Sequence, residues 1–303
     1  MKKGLKWTLR IVGGLIGMLV VAAITVYAMS EMRMTKHYDV KAEAISLKSD
    51  SATLARGKHV VRVLSKCVDC HAQDLGGGIV IDDPMIGYVA APNLTGGKGS
   101  VTRNYHDSDW VRSIRHGVQR DGSPLLVMPA TEYYPLSDDD LGAIISYIKS
   151  MPPVDRTMAR SSASLLTRAL LVTGQLEFLS AEAIPHNAKH PSPPPPALNA
   201  DYGKHLLETG CVGCHGPNFS GGKIPGTPPE WPQARNLTPD ATTGLGKWTE
   251  EDFFRALRTG IRPNGDSLRA PMPWQATAQM TDEEIRSIWL HLKRLPARKQ
   301  GNR

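Results

Sequence analysis

The chain has 303 residues, enough for two domains of ordinary size and their connections. All four cysteines fall within two short motifs, which leaves none for a structural disulfide. The formal net charge is +7, but Lys2, Lys3, Lys6 and Arg10 supply four of those positives. The +3 that remains is too small to be read as a nucleic-acid-binding surface.

From the N-terminus, these cations precede an uncharged run from Ile11 to Ser30, 20 residues long. As a helix this run spans about 30 Å, the thickness of a bilayer's hydrocarbon. The apolar core of a cleaved signal peptide is usually shorter, about 7–15 residues. Residues 1–30 are therefore expected to be a retained membrane anchor, with its positive end in the cytoplasm and everything downstream outside. Cleavage after Val26-Tyr27-Ala28 is the alternative. Residues 31–50 read as a linker.

Residues 51–155 read as a first domain. A helix is expected over residues 52–66, leading into Cys67-Val68-Asp69-Cys70-His71. Cys-x-x-Cys-His is the signature of covalent c-type haem attachment. Two thiols add to the haem vinyl groups while the histidine reaches the iron from the same turn. The motif returns as Cys211-Val212-Gly213-Cys214-His215. A zinc site or redox dithiol is the alternative. Zinc would close four N or S ligands into one tetrahedron, whereas these pairs lie 144 residues apart (211 minus 67). Two covalently bound haem c groups, with their iron, are expected. In bacteria this attachment follows export, which puts both haems on the periplasmic side of the inner membrane. Four propionates would bring the exported part to about −1.

The rest of the first domain recurs in the second, residues 198–303. Gly57-Lys58-His59 matches Gly203-Lys204-His205, and Asn93-Leu94-Thr95 matches Asn236-Leu237-Thr238. Residues 109–118 match 252–261, and each segment reads as a helix stopped by glycine, Gly117 or Gly260. Ser137 and Thr281 each stand three residues before an acid, a capping-box arrangement that is weaker at Asp140 than at Glu284. Apolar residues then recur on one helical face: Leu141, Ile144, Ile145 and Ile148, or Ile285, Ile288, Trp289 and Leu292. The second domain also opens on a helix, residues 200–210, and the remainder of each unit is Gly- and Pro-rich loop.

Between the domains, residues 156–197 hold an apolar stretch from Ser164 to Ile184, interrupted by Arg168, Glu177 and Glu182, then the stiff Pro191–Pro196 spacer. The stretch reads as a surface helix over one haem domain, with a membrane-surface or partner-docking helix as the alternative. A basic C-terminal cluster, Lys293, Arg294, Arg298, Lys299 and Arg303, reads as a solvated helix end.

The candidates for the sixth iron ligand are Met128-Pro129 and Met272-Pro273. Each methionine lies 57 residues after its motif histidine (128 minus 71, 272 minus 215). Matched position favours ligation over core filling. Met85 lies too close to His71 to wrap around a haem, and Met280 aligns with Leu136 as core. His59 and His205 read as surface groups or supports near the haem, and His291, aligned with Tyr147, as structural. A thioether raises the potential relative to bis-histidine ligation and closes the iron to peroxide and oxygen.

On these residues the chain resembles a tandem class I cytochrome c. It most closely resembles the membrane-anchored cytochrome c subunits that serve bacterial alcohol and gluconate dehydrogenases. The resemblance covers roughly residues 50–297. It rests on both Cys-x-x-Cys-His motifs, the Asn-Leu-Thr loops, Trp248-Thr249-Glu250-Glu251-Asp252-Phe253 and the two Met-Pro pairs. It implies an all-α fold, two tandem class I domains after a single N-terminal transmembrane helix. It implies His71/Met128 and His215/Met272 as axial pairs, and loops at Asn93 and Asn236 near the haems. Those subunits typically carry three haems where this chain has two motifs. Class I domains usually place an aromatic residue in the last helix, a pattern that Tyr147 fits and His291 does not.

The function expected is electron transfer without a substrate. The partners would be a dehydrogenase or quinol-oxidising complex as donor and a cytochrome or oxidase as acceptor, with no nucleic acid. No catalytic residue is nominated. A dihaem peroxidase would need one open iron and unequal domains, which the equal spacings oppose. A cysteine-ligated thiosulfate-oxidising enzyme would need a spare cysteine. A fixed subunit of a terminal oxidase would share all the same residues.

Overall fold

The computed structural model describes residues 2–190, 192–225, 227 and 230–302. Helix α1 (Lys2–Met34) continues four residues past the uncharged run. It is long and apolar enough to cross a bilayer. The first domain follows: α2 (Ser51–His59), a π-helical turn (Val60–Leu64) and α3 (Val68–His71), then strands β1 (Gly78–Asp83) and β2 (Gly87–Ala91), then α4 (Asp107–His116), α5 (Ala130–Tyr133) and α6 (Asp138–Ser150). The connection holds β3 (Ser162–Ala163), α7 (Leu165–Val172) and a 3₁₀ turn (Ser180–Glu182). The second domain is α8 (Ala200–Gly210), α9 (Val212–His215), α10 (Glu250–Thr259), α11 (Trp274–Thr277) and α12 (Asp282–Leu292).

Each domain is built on the crossing of its first and last helices, α2 on α6 and α8 on α12. This explains the repeated Gly-Lys-His. A Cβ on Gly57 would stand 2.0 Å from the Ala143 carbonyl oxygen, and one on Gly203 1.8 Å from that of Ser287. Only glycine lets the backbones approach this closely. Around the crossings Val60, Val61, Trp110, Ile144 and Ile145 join Leu206, Leu207, Phe253, Ile285 and Leu292 in one apolar cluster, so the two domain cores are continuous.

The expected helix ends hold. Gly117 (φ 65°) and Gly260 (φ 72°) are left-handed C-caps. Thr281 and Glu284 form a reciprocal capping box, while Ser137 caps alone. Asp140, its expected counterpart, turns its carboxylate to Arg56 at 2.7 and 2.9 Å.

Four features differ from the sequence reading. Residues 78–91, read as loop, form an antiparallel hairpin extended by β3 into a sheet of order β1-β2-β3. Its β-branched run favours the pleated surface, and Gly87 (φ 119°) permits the turn. The linker 31–50 lies against the first domain: Val40 is buried, and the Tyr38 amide donates to the Gly122 carbonyl at 2.9 Å. The apolar stretch is α-helical only to Val172, where Gly174 (φ 72°) ends the helix, and that helix packs on α1. The C-terminal tail folds back, with the Gly301 amide donating to Ser220 O at 3.0 Å and the Arg298 carbonyl accepting from Asn236. Pro191 of the spacer and Arg303 of the basic cluster lie outside the described residues.

Candidate haem-attachment sites

The two Cys-x-x-Cys-His segments fold alike. Each is a single helical turn, α3 or α9, with the first cysteine at its N-cap. The His71 amide donates to Cys67 O at 2.9 Å and the His215 amide to Cys211 O at 3.0 Å. One turn therefore carries both thiols and the imidazole. It ends in positive φ, at Ala72 (64°) in the first domain and Gly216 (77°) in the second. Alanine there is strained and glycine is not.

Both histidines are buried. His71 Nδ1 lies 2.8 Å from the Pro92 carbonyl and His215 Nδ1 2.8 Å from the Arg235 carbonyl. A carbonyl only accepts, so Nδ1 donates and carries the proton, which leaves Nε2 the unprotonated nitrogen of the neutral ring. Burial lowers the His71 pKa, which favours the neutral ligand form. Burial also pushes the Cys67 thiol up to about 12 and the Cys211 thiol to about 11. Among the described residues no group of three or more His, Cys, Asp or Glu side chains is disposed to hold a metal ion. The donor set fits haem c: two thiols and one oriented imidazole on a single turn. Half-buried Leu94, Tyr105, Met128, Leu237, Trp248 and Met272 pack against the same core as Cys67 and Cys211.

The Asn93 and Asn236 side chains are fully buried and spend their polar atoms on the protein. Asn93 Oδ1 accepts from the Thr95 amide and hydroxyl, and its Nδ2 donates to Val154 O at 2.6 Å. Asn236 does the same with Thr238 and Arg298. Each therefore pins the loop whose preceding carbonyl, Pro92 or Arg235, orients the histidine. Met128 and Met272 share a geometry too. Pro129 (φ −80°, ψ 56°) and Pro273 (φ −84°, ψ 59°) centre inverse γ-turns closed by Ala130 N to Met128 O, 2.8 Å, and Trp274 N to Met272 O, 2.9 Å. Val127, before Met128, holds φ 68°, a strained value for a β-branched residue. Met85 stands exposed at the hairpin tip and Met280 is buried core.

The remaining histidines need correction. His205 is buried in α8, stacked on Tyr202 with Asp140 and Arg56 of the first domain nearby. His59 is not a free surface group: its Nε2 lies 2.9 Å from Glu284 of the second domain. His291 is half-buried where Tyr147 lies against Gly57 in the first domain.

Sequence reasoning missed the contacts between the motifs. Lys66, just before Cys67, has φ 50° and donates from Nζ to Leu64 O at 2.9 Å and Gly210 O at 3.1 Å. Gly210 directly precedes Cys211. Glu132 lies against Gly213, and burial raises its pKa. Tyr133 donates to Ser65 O at 3.0 Å. The attachment turns of the two domains thus abut. Nothing local in the sequence announces this, since Lys66 has no equivalent in the second repeat. Arg115 and Arg258 were detectable, because they occupy the same place in the repeated segment. Arg115 donates to Leu136 O and pairs with Asp138, while Arg258 donates to Met280 O and pairs with Asp282. Both brace the start of the last helix.

A tandem haem protein of this geometry has known relatives. Residues 200–296 match the family described as cytochrome c, and residues 52–148 match the family described as cytochrome c oxidase, cbb3-type, subunit III. The cytochrome c subunit of the quinone alcohol dehydrogenase of Gluconacetobacter polyoxogenes is 34% identical over 276 residues, covering 82% of this chain and 57% of that protein. The fructose dehydrogenase cytochrome subunit of Gluconobacter japonicus is 32% identical over 273 residues, covering 82% of this chain and 54% of that protein. A dihaem c-type cytochrome of Cereibacter sphaeroides is 24% identical over 253 residues, covering 76% of this chain and 82% of that protein. The chain thus spans just over half the length of the dehydrogenase subunits it matches. It belongs to the c-type cytochromes, with two cytochrome c domains and two haem c groups.

Proposed function

We propose that this chain is a membrane-anchored dihaem cytochrome. It relays electrons from a dehydrogenase or quinol-oxidising partner to a respiratory acceptor, a cytochrome or terminal oxidase. Residues 51–155 and 198–303 are its two haem domains, on the periplasmic side of the inner membrane. Helix α1 is the anchor, since the uncharged run is mostly apolar and exposed, with only the stripe of Ala23, Val26 and Ser30 covered. The dehydrogenase is favoured as donor because the relatives that match more than four-fifths of the chain are named as dehydrogenase subunits.

Bound haem c supplies reversible one-electron chemistry. The chain does the rest. Cys67 and Cys70, with Cys211 and Cys214, hold the groups as thioethers. His71 and His215 would hold the iron through Nε2 and Met128 and Met272 through their sulfurs, while Asn93 and Asn236 fix the loops that orient the histidines. The observation that carries the relay is the Lys66–Gly210 contact at 3.1 Å. It joins the residue before Cys67 to the residue before Cys211, so the path between the two attachment turns crosses a single hydrogen bond.

Ligation is tested by carbon monoxide binding. The ferrous wild type is expected to bind none, and Met128→Ala and Met272→Ala one equivalent each, with loss of part of the near-infrared sulfur-to-iron band. Two equivalents bound by the wild type would refute closed sixth positions. The relay is tested by stopped-flow reduction of the whole protein by a partner dehydrogenase. Both haems are expected to turn ferrous within one turnover of the partner. The isolated chain is expected to show no sustained peroxide consumption above that of a free haem peptide, and consumption well above it would favour a peroxidase.

A further inference from the structure

Helix α7 is clamped to the end of α1. The Arg168 guanidinium donates to Ser30 Oγ at 2.8 Å and Glu31 Oε2 at 2.9 Å, and lies 4.2 Å from the centre of the Tyr27 ring. One turn later the Leu171 carbonyl accepts from Arg33, which also bonds Glu182, Nε to Oε1, at 2.9 Å. The contacts climb both helices in the same direction, so α7 runs alongside α1 with its N-terminus toward lower-numbered residues of α1. The covered stripe of α1 is Ala23, Val26, Ser30 and Arg33, at helical spacing, and it reaches into the uncharged run.

The β1–β2 turn is held at the same level. The Ser164 amide donates to Ile86 O at 3.1 Å, Thr167 Oγ1 to Ile86 O at 2.7 Å, and Ser164 Oγ to the Met85 carbonyl. This brings together three large apolar side chains at the foot of the first domain: Met85, 65% exposed, Leu165, 52%, and Leu166, 46%. Leu165 precedes Arg168 by three residues, about 4.5 Å along the helix, which sets it level with Tyr27 and Val26.

Tyr27 marks a boundary. Trp7 and Tyr27 are both exposed on α1. They lie 20 residues apart, about 30 Å on a helix, which is the hydrocarbon thickness of a bilayer. Aromatic side chains favour the two membrane–water interfaces. With Trp7 at one interface and Tyr27 at the other, the patch stands where the bilayer ends.

We propose that Met85, Leu165 and Leu166 insert into the lipid surface beside α1, so that the first haem domain rests on the membrane in one fixed orientation. The occupant of this face is the bilayer itself. The inference rests on the reading of α1 as an anchor and goes beyond it, since an anchor alone would permit a domain on a loose tether. The polar groups suit the site. The Asp83 carboxylate is committed to the turn, accepting from the Met85 amide at 2.7 Å and the Ile86 amide at 3.1 Å. Asp82 is exposed to solvent.

Haem attachment consumes the four native thiols, so an added cysteine can be labelled alone. Full-length holoprotein carrying a nitroxide at Met85→Cys, Leu165→Cys or Leu166→Cys is placed in phosphatidylcholine bilayers, with Met18→Cys as the span control and Val101→Cys as the solvent control. Haem absorbance confirms folding of each. Labels at 18, 85, 165 and 166 are expected to lose relaxation by an aqueous nickel chelate and to keep relaxation by oxygen, while the label at 101 stays accessible to the chelate. Access at 85, 165 and 166 with protection at 18 would overturn the proposal and leave the anchor standing. Access at 18 would overturn the anchor, and the proposal with it. Protection at 85, 165 and 166 that arises only when a dehydrogenase is added would make the patch a protein-docking face and also overturn it.

Discussion

The double variant Cys211→Ser/Cys214→Ser is expected to carry one covalent haem in place of two. Its mass should fall by one haem, and the haem that survives acid-acetone extraction should be halved. The reciprocal Cys67→Ser/Cys70→Ser variant should give the same stoichiometry. Each attachment turn is closed within its own domain: Cys211 and His215 are joined by one backbone bond, and the histidine is oriented by Arg235 of the same domain. No group needed to load the first haem comes from the second motif. Acid-acetone is the deciding step, because His215 keeps an oriented Nε2 in the variant and can retain haem without a thioether. Loss of both haems from either variant would show that attachment is not domain-autonomous. The variants should still be less stable than the wild type, because the domain cores are continuous and aromatic residues are only 6% of the chain, so the porphyrin replaces apolar mass the sequence does not supply.

Much of this architecture is legible from local chemistry. The Cys-x-x-Cys-His turns, the glycine C-caps and the 57-residue interval from histidine to methionine each depend on residues close in sequence or on a repeat that checks itself. The motif histidine is legible because a single helical turn dictates its place beside the thiols. The hairpin at residues 78–91 was obscured because Gly76-Gly77-Gly78 and Pro84 read as loop, while the strand pairing depends on a third strand 71 residues beyond Ala91, at Ser162. The contacts between domains were beyond reach for a deeper reason. Lys66 bonds a backbone carbonyl 144 residues away, and a carbonyl has no side-chain identity to recognise. His59 read as a surface group or a support near the haem because its partner, Glu284, was already accounted for by its capping box. A side chain with one evident local role hides a second, distant one.

That double role makes Glu284→Ala the substitution with the largest expected cost to stability outside the haem ligands, about 3–4 kcal/mol. Glu284 is 3% exposed. It accepts from the Thr281 amide at 2.9 Å as half of a capping box, from His59 at 2.9 Å, and stands 3.5 Å from Arg56. Alanine removes the cap and strips His59 of its partner, while Arg56 keeps Asp140, which holds the figure toward the lower end for a broken buried pair. The Arg258–Asp282 pair, two residues earlier on α12, gives the contrast: Asp282 is largely exposed, so Asp282→Ala should cost no more than about 1 kcal/mol. Urea midpoints of the holoprotein measure both. The acid limb adds a second check. Burial alone would raise the Glu284 pKa, but the bonds from His59 and Thr281 and the charge of Arg56 outweigh it and hold the carboxyl below its ordinary value. A carboxylate depressed by folding adds stability that is present above its unfolded pKa, about 4.3, and is lost as pH falls through the lower folded value. Stability of Glu284→Gln should therefore be lower than that of the wild type at neutral pH and converge on it below the folded pKa. A constant gap between the two across the acid range would mean that the carboxylate charge contributes nothing and that only its shape and hydrogen bonds join the two domains.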